Sequence, residues 1–200
     1  VFMKAIIFDT ETTGKNSPVL IEAAWLSVEQ INPLITTESF CQRYNPQKPI
    51  ELGALATHHI LDEELVDCAP ANTFKLPEGA EYIIGHNIDY DWGVIGAPNI
   101  KRICTLALAR EVWKDIDAYS QSALLYFLDR SNAREILRNA HSAEVDVKIC
   151  ASILSEICKQ LAVSSIEELW QASEDARIPT VMTFGKHKGM PITDIPNDYK

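Results

Sequence analysis

The spacing of apolar residues changes once along this 200-residue chain, near Cys104, and that change limits the folds open to it. Before Cys104 the apolar residues fall in short runs rich in branched side chains, and after it they recur every three or four positions. Ala5-Ile6-Ile7-Phe8 is a run that stops at Asp9, and Val19 to Val28 is a second with Glu22 inside it. Both read as strands, the first buried on both faces. Thr10 to Pro18, with Gly14, Asn16, Ser17 and Pro18, is a turn signal that joins them as a hairpin. Ser39 to Tyr44, Tyr82 to Ile84 and Ile100 to Cys104 complete the strands. Short helices are expected over Leu52 to Ala56 and Asp62 to Val66, on either side of His58 and His59. Asn87 is placed to cap another that carries Asp91 and ends near Gly96 and Pro98. Leu106 to Trp113, Ser120 to Leu128, Ile166 to Ala172 and a long stretch with Val145, Ile149, Ile153 and Ile157 four apart read as helices. Strands first and helices after imply an α/β fold, a mixed sheet covered by helices. Residues 3–162 form one domain on this reading. Residues 163–200, with the glycine-bounded basic turn Thr183 to Gly189, form a small C-terminal appendage.

Hydrophobic residues make up 46% of the chain, ample for one compact core. No apolar run reaches 18 residues and no charged-then-apolar leader is present, so no membrane partner is expected. Val1-Phe2 ahead of Met3 reads as an addition before the natural start. Five cysteines, Cys41, Cys68, Cys104, Cys150 and Cys158, form no Cys-x-x-Cys pair. An odd, unpaired set argues against a disulfide scaffold or a zinc ribbon and for the reducing cytoplasm. The formal charge of −10 sets a condition on function: a phosphate-bearing partner needs cations or local basic groups where it binds.

Chemistry is concentrated in dispersed acids. Asp9 and Glu11 leave the first strand two residues apart, so both side chains emerge on one face and are able to share a metal. His141 and Asp146 are five residues apart, about 140° around a helix, and would diverge if both were helical. They converge if Ser142 starts the helix and His141 lies in the loop before it. A histidine there suits proton transfer near neutral pH. Asp89 and Asp91 sit near a helix start, where the dipole favours a carboxylate, and spacing does not choose between them. Carboxylates that converge from distant segments are what a pair of divalent cations needs, and two cations can cut a phosphodiester.

Phe8-Asp9-Thr10-Glu11-Thr12-Thr13-Gly14, then Gly85-His86-Asn87-Ile88-Asp89-Tyr90-Asp91, then His141-Ser142-Ala143-Glu144-Val145-Asp146 resemble the three motifs of the DEDD exonucleases, histidine subclass, in their order. The resemblance spans roughly Met3 to Leu161. Tyr90 stands where Phe is usual, a departure that threatens nothing catalytic. Further likeness to one branch of that family lies in Ala54-Leu55-Ala56-Thr57-His58, in Ile103 to Arg110 and in Phe184 to Gly189. In that branch the tail runs on past the Tyr199 position, so residues 163–200 are expected to be a truncated piece. The resemblance implies a ribonuclease-H-like mixed sheet flanked by helices, and it selects Asp91 over Asp89. It implies two Mg²⁺ ions, with Mn²⁺ able to substitute, one held by Asp9, Glu11 and Asp146 and the other by Asp9 and Asp91. His141 would be the general base. The implied activity is 3′–5′ hydrolysis of DNA ends, single-stranded or duplex, with release of nucleoside 5′-monophosphates. Thr10, Thr12 and Thr13 would present hydroxyls or amides to the terminal nucleotide, Glu11 would touch its 3′-OH, and His58 would lie near its base. Asn87 is a substrate contact or a cap. Trp92 and Trp113 are expected in the core, and Lys186, His187 and Lys188 are candidates for gripping phosphates. An exoribonuclease or oligonucleotide-degrading enzyme is the first alternative, and an inactive nucleic-acid-binding or scaffolding module the second.

Overall fold

The computed structural model describes residues 4–139, 141–178, 180–182, 185–187 and 189–196. Its strands are β1 (Ala5–Thr12), β2 (Leu20–Gln30), β3 (Ile35–Asn45), β4 (Ala69–Pro70), β5 (Tyr82–Gly85) and β6 (Lys101–Cys104). They form one sheet in the order β4-β3-β2-β1-β5-β6. β1, β2 and β3 pair antiparallel, while β5 and β6 run parallel to β1. The helices are α1 (Leu52–His58), α2 (Asp89–Val94), α3 (Thr105–Val112), α4 (Gln121–Leu128), α5 (Arg130–Ile136), α6 (Ala143–Leu161) and α7 (Ile166–Ala176). The architecture is the mixed sheet flanked by helices that the sequence implies.

β1 is central because its first four side chains leave almost no surface to water: Ala5, Ile6, Ile7 and Phe8 are at most 2% exposed. Strand alternation sends Ala5 and Ile7 to one face, into a core with α3, α4, α6 and α7. Ile6 and Phe8 go to the other, against Tyr44, Ile88 and the Phe74 ring. α6 covers the first face with Val147, Ile149, Cys150, Ile153, Leu154, Ile157 and Cys158. Its Asp146 is one turn before Cys150 and therefore on the covered side.

β1 does not stop at Asp9. It continues through Thr12 because β2 supplies the backbone ladder whatever the side chains, pairing Asp9 with Ala24, Thr10 with Ala23 and Glu11 with Glu22. On its other side β1 loses its neighbour early. The last pair with β5 is Ile7 with Ile84, and the chain then turns away at Gly85. This leaves an open notch beside the polar half of β1. A Cβ at Gly85 would lie 2.8 Å from the Phe8 carbonyl oxygen and 2.7 Å from the Ile88 side chain, so only glycine lets β5 come this close.

Several expectations are revised. Asn87 does not cap α2: it is exposed and left-handed (φ 65), which Asn tolerates, and α2 begins after Ile88 with no side-chain cap. Its carbonyl accepts from the Tyr90 amide instead (3.1 Å). β3 starts at Ile35, four residues early, through an exposed polar stretch that shows no apolar signal. α5 was not foreseen, since Ala133 is its one buried residue. Near the C-terminus, Val181 bridges Pro191 and Met182 bonds Met190 and Gly189, a small hairpin, while α7 packs into the main core through Leu169. Thr183, Phe184 and Lys188 of the basic turn lie outside the described residues. Among the described residues no single helix is long and apolar enough to cross a membrane.

Gly85→Ala is expected to lower stability by about 1 to 3 kcal/mol, the usual range for a forced contact in a packed core. Urea unfolding checks it. An unchanged midpoint would mean that β5 can withdraw from β1 without loss.

Candidate metal centre and active site

Asp9 and Glu11 continue the alternation of Ala5 and Ile7, so both point to the face that α6 covers. Asp146 comes down from α6 onto the same spot. One carboxylate oxygen from each of Asp9, Glu11 and Asp146 lies within 4.8 Å of the other two. His141 sits in the left-handed region (φ 69), Ser142 is extended at the N-cap position, and α6 begins at Ala143. This is the loop-then-helix arrangement that brings His141 beside Asp146, where the imidazole and the backbone amide of His141 both lower the proton affinity of that carboxyl.

Asp91 reaches the cluster from the other side. It is 5% exposed, and its Oδ1 accepts from the Thr10 amide (3.0 Å) and the Thr10 hydroxyl (2.6 Å). The Thr10 amide faces the notch that β5 leaves, so the Asp91 carboxylate takes the place of a missing strand. Asp89, two residues earlier, points outward and pairs with Arg102 (2.6 Å) and Arg177 (2.7 Å).

The carboxyls are strongly perturbed. Burial, then Asp91, Asp146, Glu11 and Glu22, hold Asp9 well above the ordinary range. Glu11 is pushed from 4.5 to about 9 by burial, then by Asp146, Glu22 and Asp91. Asp91 rises to about 7, chiefly through burial, with the Thr10 hydroxyl opposing the rise. Burial also raises Asp146, against the pull of His141. A cluster of this kind asks for a cation. Three carboxylates and no nitrogen or sulfur donor suit a hard, oxygen-seeking divalent ion, whose ligands sit at about 2.1 Å and therefore about 3 to 4 Å from one another. The oxygens of Asp9, Glu11 and Asp146, all within 4.8 Å of one another, are near enough to close on such an ion with small side-chain shifts.

The residues expected at the terminal nucleotide separate into two groups. Thr10 gives both its amide and its hydroxyl to Asp91. Thr13 is fully buried, accepts from Val19 N at its hydroxyl (3.1 Å), and closes the hairpin through Val19 O and Glu51 N. The Thr13 hydroxyl is therefore turn chemistry. Thr12 is buried, its hydroxyl bonded to that of Tyr90 (2.7 Å). His58, also buried, accepts from Ile60 N at Nδ1 (3.0 Å); its Nε2 lies toward the Thr12 carbonyl and makes no well-formed bond. Glu11 and the exposed Asn87 have side chains that no described residue bonds. Trp92 packs in the core with its indole N–H on Pro98 O (2.8 Å), and Trp113 packs edge-on against Phe127. Lys186 and His187 lie in the appendage hairpin.

Two contributors carried weak sequence signals. Glu22, a lone acid inside an apolar strand, is 4% exposed opposite Glu11 and adds to the charge on Asp9, Glu11 and Asp146. The Tyr90 hydroxyl, which a Phe would lack, also donates to the Gly14 carbonyl (3.2 Å) and braces the end of β1.

No family model matches the chain. Exodeoxyribonuclease 10 of Escherichia coli (strain K12) is 28% identical over 194 residues, 94% of this chain and 84% of the relative. DNA polymerase III subunit epsilon of Pasteurella multocida (strain Pm70) is 27% identical over 205 residues, covering 85% and 78%. The solved structure of exonuclease X in complex with 5′-overhanging duplex DNA matches with a TM-score of 0.70 and 27% identity, over 84% of this chain and 99% of that one. E. coli exonuclease I in complex with a dA16 oligonucleotide, 15% identical with a TM-score of 0.62, shares the fold. With the carboxylate cluster, these relatives support a 3′–5′ exonuclease, similar in sequence and fold to the DEDD exonucleases. Among them it is similar to exonuclease X, the branch that its sequence resembles outside the three motifs.

The perturbed carboxyls give the metal-free protein a defined pH response. Glu11 titrates near 4.5 when unfolded and near 9 when folded, so between those values the folded state keeps a proton that the unfolded chain has released. The contribution of Glu11 to stability is therefore complete below about pH 4.5 and is lost as pH rises toward 9. Glu11→Gln is expected to raise the metal-free Tm near pH 8 by about 2 to 8 °C, on the order of 1 to 2 kcal/mol, and to change it little near pH 4.5. Thermal unfolding in EDTA at the two pH values checks this. Excess Mg²⁺ should stabilise the parent far more than the variant. A variant that melts lower near pH 8 would contradict the repulsion argument.

Proposed function

We propose that the chain hydrolyses the terminal phosphodiester at DNA 3′ ends with two Mg²⁺ ions and releases nucleoside 5′-monophosphates. The observation that carries this reading is the convergence of Asp9, Glu11 and Asp146 with His141 at the head of α6. Exodeoxyribonuclease 10 by its name, and exonuclease X by its complex with duplex DNA, favour DNA as the substrate.

Asp9, Glu11 and Asp146 would hold one ion, and Asp9 with Asp91 the other. Bound there, the ions supply Lewis-acid polarisation of the phosphate and neutralise charge on the departing 3′ oxygen. The chain's own groups do the rest. His141, exposed at the site's edge, accepts the proton of the attacking water, and the neighbouring Asp146 carboxylate stabilises the imidazolium that forms. Thr10 fixes Asp91 by two hydrogen bonds and so acts behind the reacting atoms. Tyr90 and Glu51 hold the Gly14 turn from two sides, Glu51 accepting from the Lys15 (3.2 Å) and Asn16 (3.1 Å) amides. Glu11 and Asn87 are the side chains left free to meet the terminal nucleotide, with His58 behind Thr12.

Incubating 3′-labelled single-stranded DNA, duplex DNA and a matching RNA with Mg²⁺, Mn²⁺ or EDTA tests the reading. Mononucleotides are expected from DNA with either metal and none in EDTA. Asp9→Ala and Asp146→Ala should abolish release, and His141→Ala should slow it by about 10² to 10⁴. Release from RNA alone would overturn the substrate assignment. No mononucleotide from any substrate would overturn the reaction, and a His141→Ala enzyme as fast as the parent near neutral pH would remove the general base.

A further inference from the structure

α6 has no cap of its own. Ser142 occupies the N-cap position in extended conformation, yet its side chain makes no capping bond. The missing acceptor comes from the sheet: Glu22 Oε2 accepts from the Ala143 amide, the first of the helix, at 2.9 Å. The other oxygen, Oε1, accepts from Arg43 Nε (3.0 Å), and Arg43 continues to Glu64 (2.8 Å). These contacts follow from register. Glu22 stands opposite Glu11 on β1 and opposite Arg43 on β3, so the three side chains share the face that α6 covers. A carboxylate only 4% exposed beside three other acids is costly to keep unless its oxygens are bonded. Both are, by groups that lie outside the metal trio, and this separates Glu22 from Asp9, Glu11 and Asp146.

We infer that Glu22 is a positioning residue for the hydrolysis: as the acceptor that caps α6 from across the sheet, it fixes the His141-Ser142-Ala143 segment and so sets His141 and Asp146 over Asp9 and Glu11. The inference rests on the proposed reaction. The mechanical link is short. Ala143 is tied to β2, the Ser142 carbonyl accepts from Val145 (2.9 Å) and Asp146 (3.0 Å), and His141 is the next residue out. Without the Glu22 acceptor, the first amide of α6 has no partner in a site that α6 itself keeps dry. The left-handed turn at His141 then loses its fixed end. Arg43 aims Glu22 through its Nε bond to Oε1.

Two substitutions separate reach from charge. Glu22→Gln keeps an acceptor at the right distance and removes the charge. Glu22→Asp keeps the charge and the pairing with Arg43, but is one methylene too short for Ala143. Under the positioning role, Glu22→Asp and Glu22→Ala lose about 10- to 100-fold in kcat with KM for DNA changed by less than about threefold, the signature of misplaced groups. Glu22→Gln recovers most of that loss. Were Glu22 a metal ligand or an essential charge, Glu22→Gln would fall with Glu22→Ala and need more Mn²⁺ for half-maximal rate, which would overturn the inference. The Ala143 amide gives a readout that needs no activity. In ¹⁵N-labelled parent it should resonate downfield and exchange slowly, and it should lose both features in Glu22→Asp but not in Glu22→Gln. An Ala143 amide in the parent that exchanges like a surface amide would also overturn the inference, even if Glu22→Ala failed to fold. If the parent cleaves no substrate, the reaction reading fails while the amide measurement still decides whether the cap exists.

Discussion

Burial of several carboxylates at one spot is the constraint around which this molecule is built. Burial raises the proton affinity of Asp9, Glu11, Asp91 and Asp146, and neighbouring charges add to it: Asp91, Asp146 and Glu11 on Asp9, Asp146 and Asp91 on Glu11, Asp146 on Asp91, and Glu22 on Asp9, Glu11 and Asp146. For Glu11, the rise from 4.5 to about 9 disfavours the charged form throughout the neutral range. The opposing force is apolar. Val147, Ile149, Ile153, Leu154 and Ile157 of α6 are buried on the sheet, and at about 1.5 to 3 kcal/mol each they contribute roughly 8 to 15 kcal/mol. Packing wins, and it brings Asp146 to Asp9 and Glu11 whether or not the acids favour the meeting.

The sheet divides the work between its faces. Asp9 and Glu11 face α6 with Asp146, while Thr10 and Thr12 turn to the opposite face and to α2. Consecutive residues of α2 serve consecutive threonines: Asp91 bonds Thr10, and Tyr90 bonds Thr12. β5 makes this possible by turning away at Gly85: its last pair with β1 is at Ile7, five residues before Thr12, the last pair that β1 makes on its other flank. Had β5 continued, its backbone would have taken the Thr10 amide and displaced Asp91. A truncated strand, a close-packed glycine and a short helix thus replace regular pairing with a carboxylate at the one place where it completes the cluster.

What was legible in the sequence follows the same physics. Ala5 to Phe8 announces a buried strand, and the alternation beyond it gives Asp9 and Glu11 one face. The 140° between His141 and Asp146 leads to a helix start at Ser142, and the structure has it there. Asp89 and Asp91 could not be told apart by spacing near a helix end. In three dimensions they diverge by about 200° around α2, Asp89 toward Arg102 and Arg177 and Asp91 into the core. β1 ran past its apolar segment because its ladder rests on β2, which a reading of side chains does not register. α5 was illegible for a related reason, since one buried alanine leaves no period. The partners of the threonines were illegible in a different way: hydroxyls that look available in a turn are bonded to Asp91, Tyr90 and Val19 once distant segments arrive. Glu22 was visible as an acid in an apolar strand, but its use depends on β3 and α6, far away in sequence.

The formal charge of −10 belongs to this account rather than against it. Many of the basic side chains are already paired, Arg43, Lys101, Arg102, Lys148, Lys159 and Arg177 among them, so they screen acids rather than form a basic track. At physiological salt, surface charges fade beyond about 8 to 10 Å, and a polyanion is governed by what it meets at contact. In the proposed two-metal state, two divalent ions add about four positive charges to a site whose four carboxylates carry four negative ones. The cluster becomes neutral, and the ions face the phosphate directly. The acids that make the metal-free fold weaker as pH rises are then the groups that let an acidic protein hold a nucleic acid at one point, the point where it is cut.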